Sequence, residues 1–450
     1  MSTREEWLQK DREYMWHHMM PYTPSQNPML VSGGEGAWII DEEGNRYLDA
    51  MSGLWCVNLG YSESELADAA ASQLRQMPYY PLSHAHKPAI ALGEKLNQWL
   101  HGNYRIFYSN SGSEANETAF KIARQYHAQN GEPMRWKVIS RYRAYHGNSM
   151  GALAATGQFQ RKYKYEPLAP GFLHVPPPDC YRCPFGQERA SCHLECAAMY
   201  EQVINWETPE TVAAVIMEPV ITGGGMIVPP LEYVQQVREI CDRYGVLLIM
   251  DEVICGFGRS GQPFGYQKFG VQPDIVTMAK GITSGYLPLS ATAVRADLFE
   301  VFRDDREYVH FRHVNTFGGN PAACAVAVRT LELMEERDLI VRSAQLGEKL
   351  QEKLIAALRE HPNVGDLRFF GFLAGIELVE DKKTKAPASS EFVSKVVAAC
   401  KRQGVLVGKN GDTVAGYNNV VMLCPPFVIQ EEELHLIVDA VVQALTEVGS

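Results

Sequence analysis

Three short segments, Ala213 to Met217, Val246 to Met250 and Asp274 to Met278, are nearly continuous in apolar residues and are separated by stretches of helical periodicity. A strand that exposed one face to water would alternate polar and apolar residues; one without alternation is buried on both faces, as in a parallel sheet covered by helices. The alternation runs from about residue 65 to 330, so the chain is expected to be α/β, with a mostly parallel central sheet sandwiched by helices. Before it, Ala37 to Ile40, an Asp-Glu-Glu-Gly turn at 41–44 and Arg46 to Leu48 read as a small hairpin. After Ala322 a long helical stretch reaches about His361. Strand-like Leu373 to Val379, a helix over Ser390 to Arg402, the apolar strand Val420 to Leu423 and an amphipathic tail, Glu431 to Val448, follow. The expected organisation is a large domain over 59–330, with 1–58 and 331–450 joining as one smaller α+β domain.

The chain has 450 residues, long enough for more than one lobe, and a formal net charge of −11, which disfavours nucleic acid and anionic membranes as partners. No apolar run reaches the roughly 20 residues of a membrane span. Met1 to Met20 carries charges, Trp and His rather than an apolar signal core, so a cytoplasmic protein is expected. Of 10 cysteines, six are scattered through apolar stretches, where they act as small hydrophobes in a reducing compartment.

Ligands of an open parallel sheet bind beyond the carboxyl ends of its strands. After Ile106 to Tyr108 comes Ser109-Asn110-Ser111-Gly112-Ser113-Glu114, opening a helix through Arg124. Free N–H groups and the positive end of the helix dipole suit a phosphate there, while Ser111 and Glu114 also read as a capping box. After Val246 to Met250 comes Asp251-Glu252-Val253. An acid ending an apolar strand must meet water, a cation or a protonated nitrogen, or else act as a helix cap. After Asp274 to Met278 comes Ala279-Lys280-Gly281, a lysine either at the sheet top or simply on the surface. In that order, an anion site, an acid and an amine supply what a pyridoxal phosphate cofactor requires.

At this point the segments Asn110-Ser-Gly-Ser-Glu-Ala, Tyr145-His146-Gly147, Glu218-Pro219, Asp251-Glu252-Val253 through Gly256-Phe-Gly-Arg259, and Pro273-Asp274 through Lys280-Gly281 resemble those of class III aminotransferases. The resemblance covers nearly the whole chain and implies the fold-type-I architecture of pyridoxal-phosphate enzymes. It implies that Lys280 forms the Schiff base and then serves as the proton-transfer base, and that Asp251 pairs with the pyridine N–H⁺. It further implies that Ser111, Gly112 and Ser113 hold the phosphate, that Tyr145 and His146 belong to the cofactor site, and that Tyr145 and Val253 pack on the ring's two faces. Glu218 would orient the Asp251 side. Thr316 matches a position that completes the neighbouring subunit's phosphate site, which implies an obligate homodimer, or a tetramer, with shared sites. Gly256-Phe-Gly-Arg-Ser-Gly261 also fits a dinucleotide fingerprint, but no helical pattern follows it, so nicotinamide is not expected.

For the substrate, Trp55 and Tyr22 resemble pocket aromatics of ω-amino-acid and amine:pyruvate enzymes, with plain packing as the alternative. Many relatives carry a mobile, carboxylate-binding Arg before a Pro-Pro pair. Here Val414 to Asn419, ahead of Pro425-Pro426, has none, and Ala415 falls near that position. Arg161 is the replacement cation for a carboxylate or sulfonate, unless it is a solvated arginine beside Lys162 and Lys164. The expected reaction moves an amino group from an ω-amino acid, taurine or a primary amine to pyruvate or a similar 2-oxo acid. The same cofactor could also support a decarboxylase, aminomutase or racemase. Finally, Cys180, Cys183, Cys192 and Cys196 sit in an insertion over 176–200. They read as free thiols, disulfides or a structural metal site with no catalytic part, and a metal-stapled binding protein is the reading from outside enzymology.

Overall fold

The computed structural model describes residues 3–23, 27–411 and 413–449. The apolar runs form the middle of a seven-stranded sheet. Its strands in chain order are β1 (Tyr104–Ser109), β2 (Lys137–Arg141), β3 (Phe172–Val175), β4 (Val212–Met217), β5 (Leu247–Asp251), β6 (Ile275–Met278) and β7 (Ser290–Arg295). Across the sheet they lie in the order β1-β7-β6-β5-β4-β2-β3. Only β7 runs against its neighbours, pairing antiparallel with both β1 and β6, so the carboxyl ends of the other six share one rim.

The missing alternation in β4 and β5 has a direct cause. Ala214, Ile216, Leu247 and Ile249 pack on one face with Ala119, Phe120 and Ala123 of helix α1 (Gly112–Gln129). Val215, Met217, Leu248 and Met250 pack on the other with Val234, Val237 and Ile240 of helix α2 (Leu231–Tyr244). Each face of the pleat meets a helix, so neither can be polar.

The two chain ends meet in a four-stranded sheet built from Val31–Glu35, Trp38–Asp41, Arg46–Asp49 and Val405–Leu406. The expected hairpin is therefore the core of a larger sheet. The Leu48 N–H donates to Gly404 O at 2.8 Å, and Ala50 donates to Leu406 O at 2.9 Å. A second small sheet carries Val364–Phe369, Ala374–Asp381 and Val420–Leu423. The long helical stretch after Ala322 is two helices, Pro321–Glu336 and Leu339–Leu358, broken where Asp338 turns left-handed at φ +49°. Such a residue cannot continue a right-handed helix. Among the described residues no helix is long and apolar enough to cross a membrane.

Candidate active site

The carboxyl-end rim of the large sheet opens on a cavity of about 360 Å3. Ser111, Gly112 and Ser113 line it after β1, Tyr145 and His146 after β2, and Glu218 after β4. Asp251 and Val253 line it at the end of β5, and Lys280 after β6. All of these were singled out in the sequence, and the sheet brings them together.

Helix α1 begins at the cavity wall. The Ser111–Glu114 capping box is formed: the Glu114 N–H donates to Ser111 Oγ at 3.2 Å, and the Ser111 N–H donates to Glu114 Oε2 at 3.2 Å. Capping and anion binding are compatible, because the first-turn N–H groups of Gly112 and Ser113 have no intrahelical partner. A Cβ at Gly112 would lie 3.1 Å from both methyl carbons of Val253. A side chain at 112 would have to push Val253 back by a few tenths of an ångström, and glycine avoids that crowding.

One face of α1 also holds the segment that carries Tyr145 and His146. Ser113 and Asn148 exchange hydrogen bonds of 3.0 Å. Asn116 Nδ2 donates to His146 O at 2.6 Å. Glu117 Oε1 accepts from the Ser149 hydroxyl at 2.6 Å and from the Gly151 and Ala152 N–H groups at 2.9 and 3.0 Å. Residues 113, 116 and 117 share a face by helical spacing. Asn116 and Glu117 were not singled out in the sequence; two polar residues just ahead of the apolar Ala119, Phe120 and Ala123 of the same helix were the available signal.

Asp251 is 4% exposed. Its Oδ2 accepts from His146 Nδ1 at 2.8 Å and Asn116 Nδ2 at 2.9 Å, and its Oδ1 accepts from the Val253 N–H at 3.1 Å. Glu218 does not orient Asp251 through a hydrogen bond. Its carboxylate accepts instead from the Tyr145 N–H at 3.1 Å and the Thr222 hydroxyl at 2.8 Å. Burial pushes the Glu218 carboxyl above the usual range, against the opposing pull of His146. Glu252, next to Asp251, points into the fold and accepts the N–H groups of Gly265 and Tyr266 at 2.9 and 2.7 Å. Burial outweighs those donors and pushes its carboxyl up to about 8.

Lys280 holds a left-handed backbone, φ +48°, a conformation that costs an L-residue about 1 kcal/mol or more and that gathers at functional sites. Its amine makes no hydrogen bond or ion pair among the described residues. Its charge opposes the upward push that burial gives the thiol of Cys56, another cavity residue. An amine free of partners among the described residues, an N–H cradle opened by Gly112 and a buried carboxylate facing the same cavity fit pyridoxal phosphate.

The substrate-side residues are placed differently. The Arg161 guanidinium lies 5.1 Å from the centre of the Tyr145 ring, and its Nε donates to Gln158 Oε1 at 2.7 Å. No carboxylate pairs with it among the described residues. Trp55 precedes cavity residue Cys56, and its indole N–H is buried without a partner. Tyr22 is 73% exposed and lines a hollow made by the N-terminal segment itself, apart from Lys280. Thr316 lines another surface hollow with Tyr79, whose hydroxyl donates to Thr316 O at 2.7 Å. Ala415 is exposed, and its loop is pinned by Asn418 Nδ2 donating to Gln160 Oε1 at 2.7 Å.

Cys180, Cys183, Cys192 and Cys196 are free thiols around one small void. Among the described residues no three His, Cys, Asp or Glu side chains are grouped to hold a metal ion. Burial pushes the Cys180 thiol up, and that of Cys196 up to about 12, so both rest protonated at neutral pH. The insertion is anchored by the Asp179–Arg143 ion pair at 2.7 Å.

Residues 21–445 match the family model for class-III aminotransferases. A Bacillus subtilis (strain 168) protein named "Uncharacterized aminotransferase YhxA" is 61% identical over 96% of this chain and 95% of its own. A taurine–pyruvate aminotransferase of Bilophila wadsworthia is 42% identical over 97% and 96%. The crystal structure of a Bacillus anthracis aminotransferase superposes with a TM-score of 0.96 at 55% identity, covering 99% of this chain and 100% of the other.

Glu252 makes stability depend on pH. Its folded value lies above the ordinary carboxyl value of 4.5, so its contribution is present below that value and is lost as pH rises through about 8. In urea titrations Glu252→Gln should flatten the fall of unfolding free energy between about pH 5 and 8. A slope equal to that of the unmodified protein would show that Glu252 does not titrate there.

Proposed function

The chain belongs to the class III aminotransferases, which are pyridoxal-phosphate enzymes, and we propose that it transfers an amino group from an ω-amino acid, taurine or a primary amine to pyruvate or a similar 2-oxo acid. The observation that carries this reading is the cavity shared by Lys280, Asp251, Tyr145 and the Gly112–Ser113 helix start, with the unpaired cation of Arg161 stacked on Tyr145. When bound, the cofactor supplies an electron-withdrawing ring that stabilises negative charge at the reacting carbon. Lys280 Nζ would hold the cofactor covalently and, once freed, would move a proton at the reacting carbon of the substrate. Asp251 Oδ1 would accept the ring N–H⁺, and the Gly112 and Ser113 N–H groups would hold the phosphate. Tyr145 and Val253 line the cavity to pack against the ring, with His146 steadying Asp251 and Glu218 steadying the Tyr145 backbone. Donor and acceptor use the site in turn, a ping-pong cycle.

Arg161 supplies the charge that an anionic substrate needs where the 414–419 segment has no arginine. Nε is tethered to Gln158, so the guanidinium is held beside Tyr145 while its two terminal nitrogens face no acid. Trp55 and Tyr22 complete the substrate side, Tyr22 by movement of the N-terminal segment or from a second subunit. Thr316 stands outside the Lys280 cavity, on a surface with Val314 78% and Phe317 63% exposed. Exposed apolar area of that kind suits burial in a homodimer, with Thr316 serving the other subunit's phosphate site. Ten free thiols accord with a cytoplasmic location.

The purified protein should be yellow, lose its visible band on borohydride reduction in a form that is absent from Lys280→Ala, and form alanine stoichiometrically when amine and pyruvate are supplied together. A protein that gains no visible band from added pyridoxal phosphate overturns the reading. Arg161→Ala should raise the KM for pyruvate about 10- to 100-fold, the range for losing a charged hydrogen-bond donor; an unchanged KM removes Arg161 from substrate binding. Sedimentation should give a dimer, and a fully active monomer would exclude the shared site.

A further inference from the structure

We propose that Asn116, locked by Thr277, is a positioning residue that decides which oxygen of Asp251 faces the cofactor. The inference rests on the cavity being the pyridoxal phosphate site. Ile249 and Ile275 pack toward α1, so two residues further along β5 and β6 the side chains of Asp251 and Thr277 point the same way. Asn116 of α1 meets both, at 1% exposure, with Thr277 fully buried. The Thr277 hydroxyl donates to Asn116 Oδ1 at 2.7 Å, while Asn116 Nδ2 donates to His146 O at 2.6 Å and to Asp251 Oδ2 at 2.9 Å.

Only one amide orientation satisfies this set. Turned by 180°, Asn116 Oδ1 would confront a carbonyl and a carboxylate oxygen at a position only 1% exposed, leaving three acceptors and no donor between them. Thr277 adds to this preference, because its hydroxyl donates to Asn116 Oδ1 in the observed orientation and would lose that acceptor in the turned one. Asn116 and His146 together occupy Asp251 Oδ2. Oδ1, steadied by the Val253 N–H, is left to receive the ring N–H⁺. Asn116 also follows Ser113 by three residues, about 4.5 Å along the helix axis. One rigid turn thus spaces the phosphate cradle from the carboxylate at the far end of the ring.

The test uses the full-length holoenzyme and its apoprotein, with Asn116→Ala, Thr277→Val and Thr277→Ser. Titrating pyridoxal phosphate into each apoprotein should show Kd raised about 10-fold or more in Asn116→Ala and about 3- to 10-fold in Thr277→Val, with Thr277→Ser within about 2-fold of the parent, as expected for an unsatisfied buried acceptor. The pH at which the bound cofactor's visible band titrates should move in the first two variants and return in the third. Asn116→Ala should lower kcat about 10- to 100-fold and leave the KM for pyruvate near its parent value. Parent-like Kd and visible titration in both Asn116→Ala and Thr277→Val overturn the role, even if their melting temperatures fall, since a purely structural contact would change stability alone. If the parent itself binds no pyridoxal phosphate, the reading of the cavity fails instead.

Discussion

A carboxylate that is 4% exposed at the end of an apolar strand is costly unless hydrogen bonds and a cation meet it, and the site is arranged around that requirement at Asp251. Donors arrive from three elements: His146 from the loop after β2, Asn116 from α1, and the Val253 N–H from its own turn. Each donor is itself held. Glu117 and Ser113 pin the 145–152 segment to α1, Thr277 orients Asn116, and Glu252 clamps the 265–266 backbone against the strand end. In the proposed reading, the cation that Asp251 meets is the ring nitrogen of the bound cofactor.

Around this centre the protein places charge unevenly. The proposed anion end is built from backbone N–H groups and a helix start, which need no side-chain charge. The amine end is a single lysine without a partner among the described residues. Arg161, proposed for the substrate end, is stacked on an aromatic ring rather than paired with an acid among the described residues. Ion pairs are spent away from the cavity, as where Arg143 meets Asp179 and anchors the cysteine-bearing insertion. Arg143 lies two residues before Tyr145 in the chain, and burial keeps the thiols of Cys180 and Cys196 in that insertion protonated.

Much of the site was legible because sheet-top chemistry follows strand ends, and strand ends are visible as breaks in apolar runs. Lys280, Asp251 and the Ser111–Ser113 turn were each found that way. The residues that were missed act through partners distant in sequence. Asn116 reaches Asp251 135 residues away and Thr277 161 residues away, and Glu117 reaches Gly151 34 residues on. Glu218 was visible, but its partner is the Tyr145 backbone, which no side-chain pattern marks. The long helix expected after Ala322 breaks at Asp338 because apolar spacing continues across a left-handed residue without a warning glycine or proline.

By itself the sequence determined the layer architecture, since unbroken apolar strands require helices on both faces. It also determined the order of anion site, acid and amine along the chain, which the sheet then rearranges along its rim by setting β6 between β1 and β5, and through its resemblance it determined the family and cofactor. Tertiary structure decided which groups touch. It set Arg161 on the face of Tyr145, gave Asp251 its two side-chain donors, joined Leu48 to the backbone at 404, and left Tyr22 and Thr316 outside the cavity of their own chain. The physical reason is range. Periodicity and strand-end chemistry are local properties of consecutive residues, whereas hydrogen-bond partners are chosen by how sheets and helices bring distant segments within about 3 Å of one another.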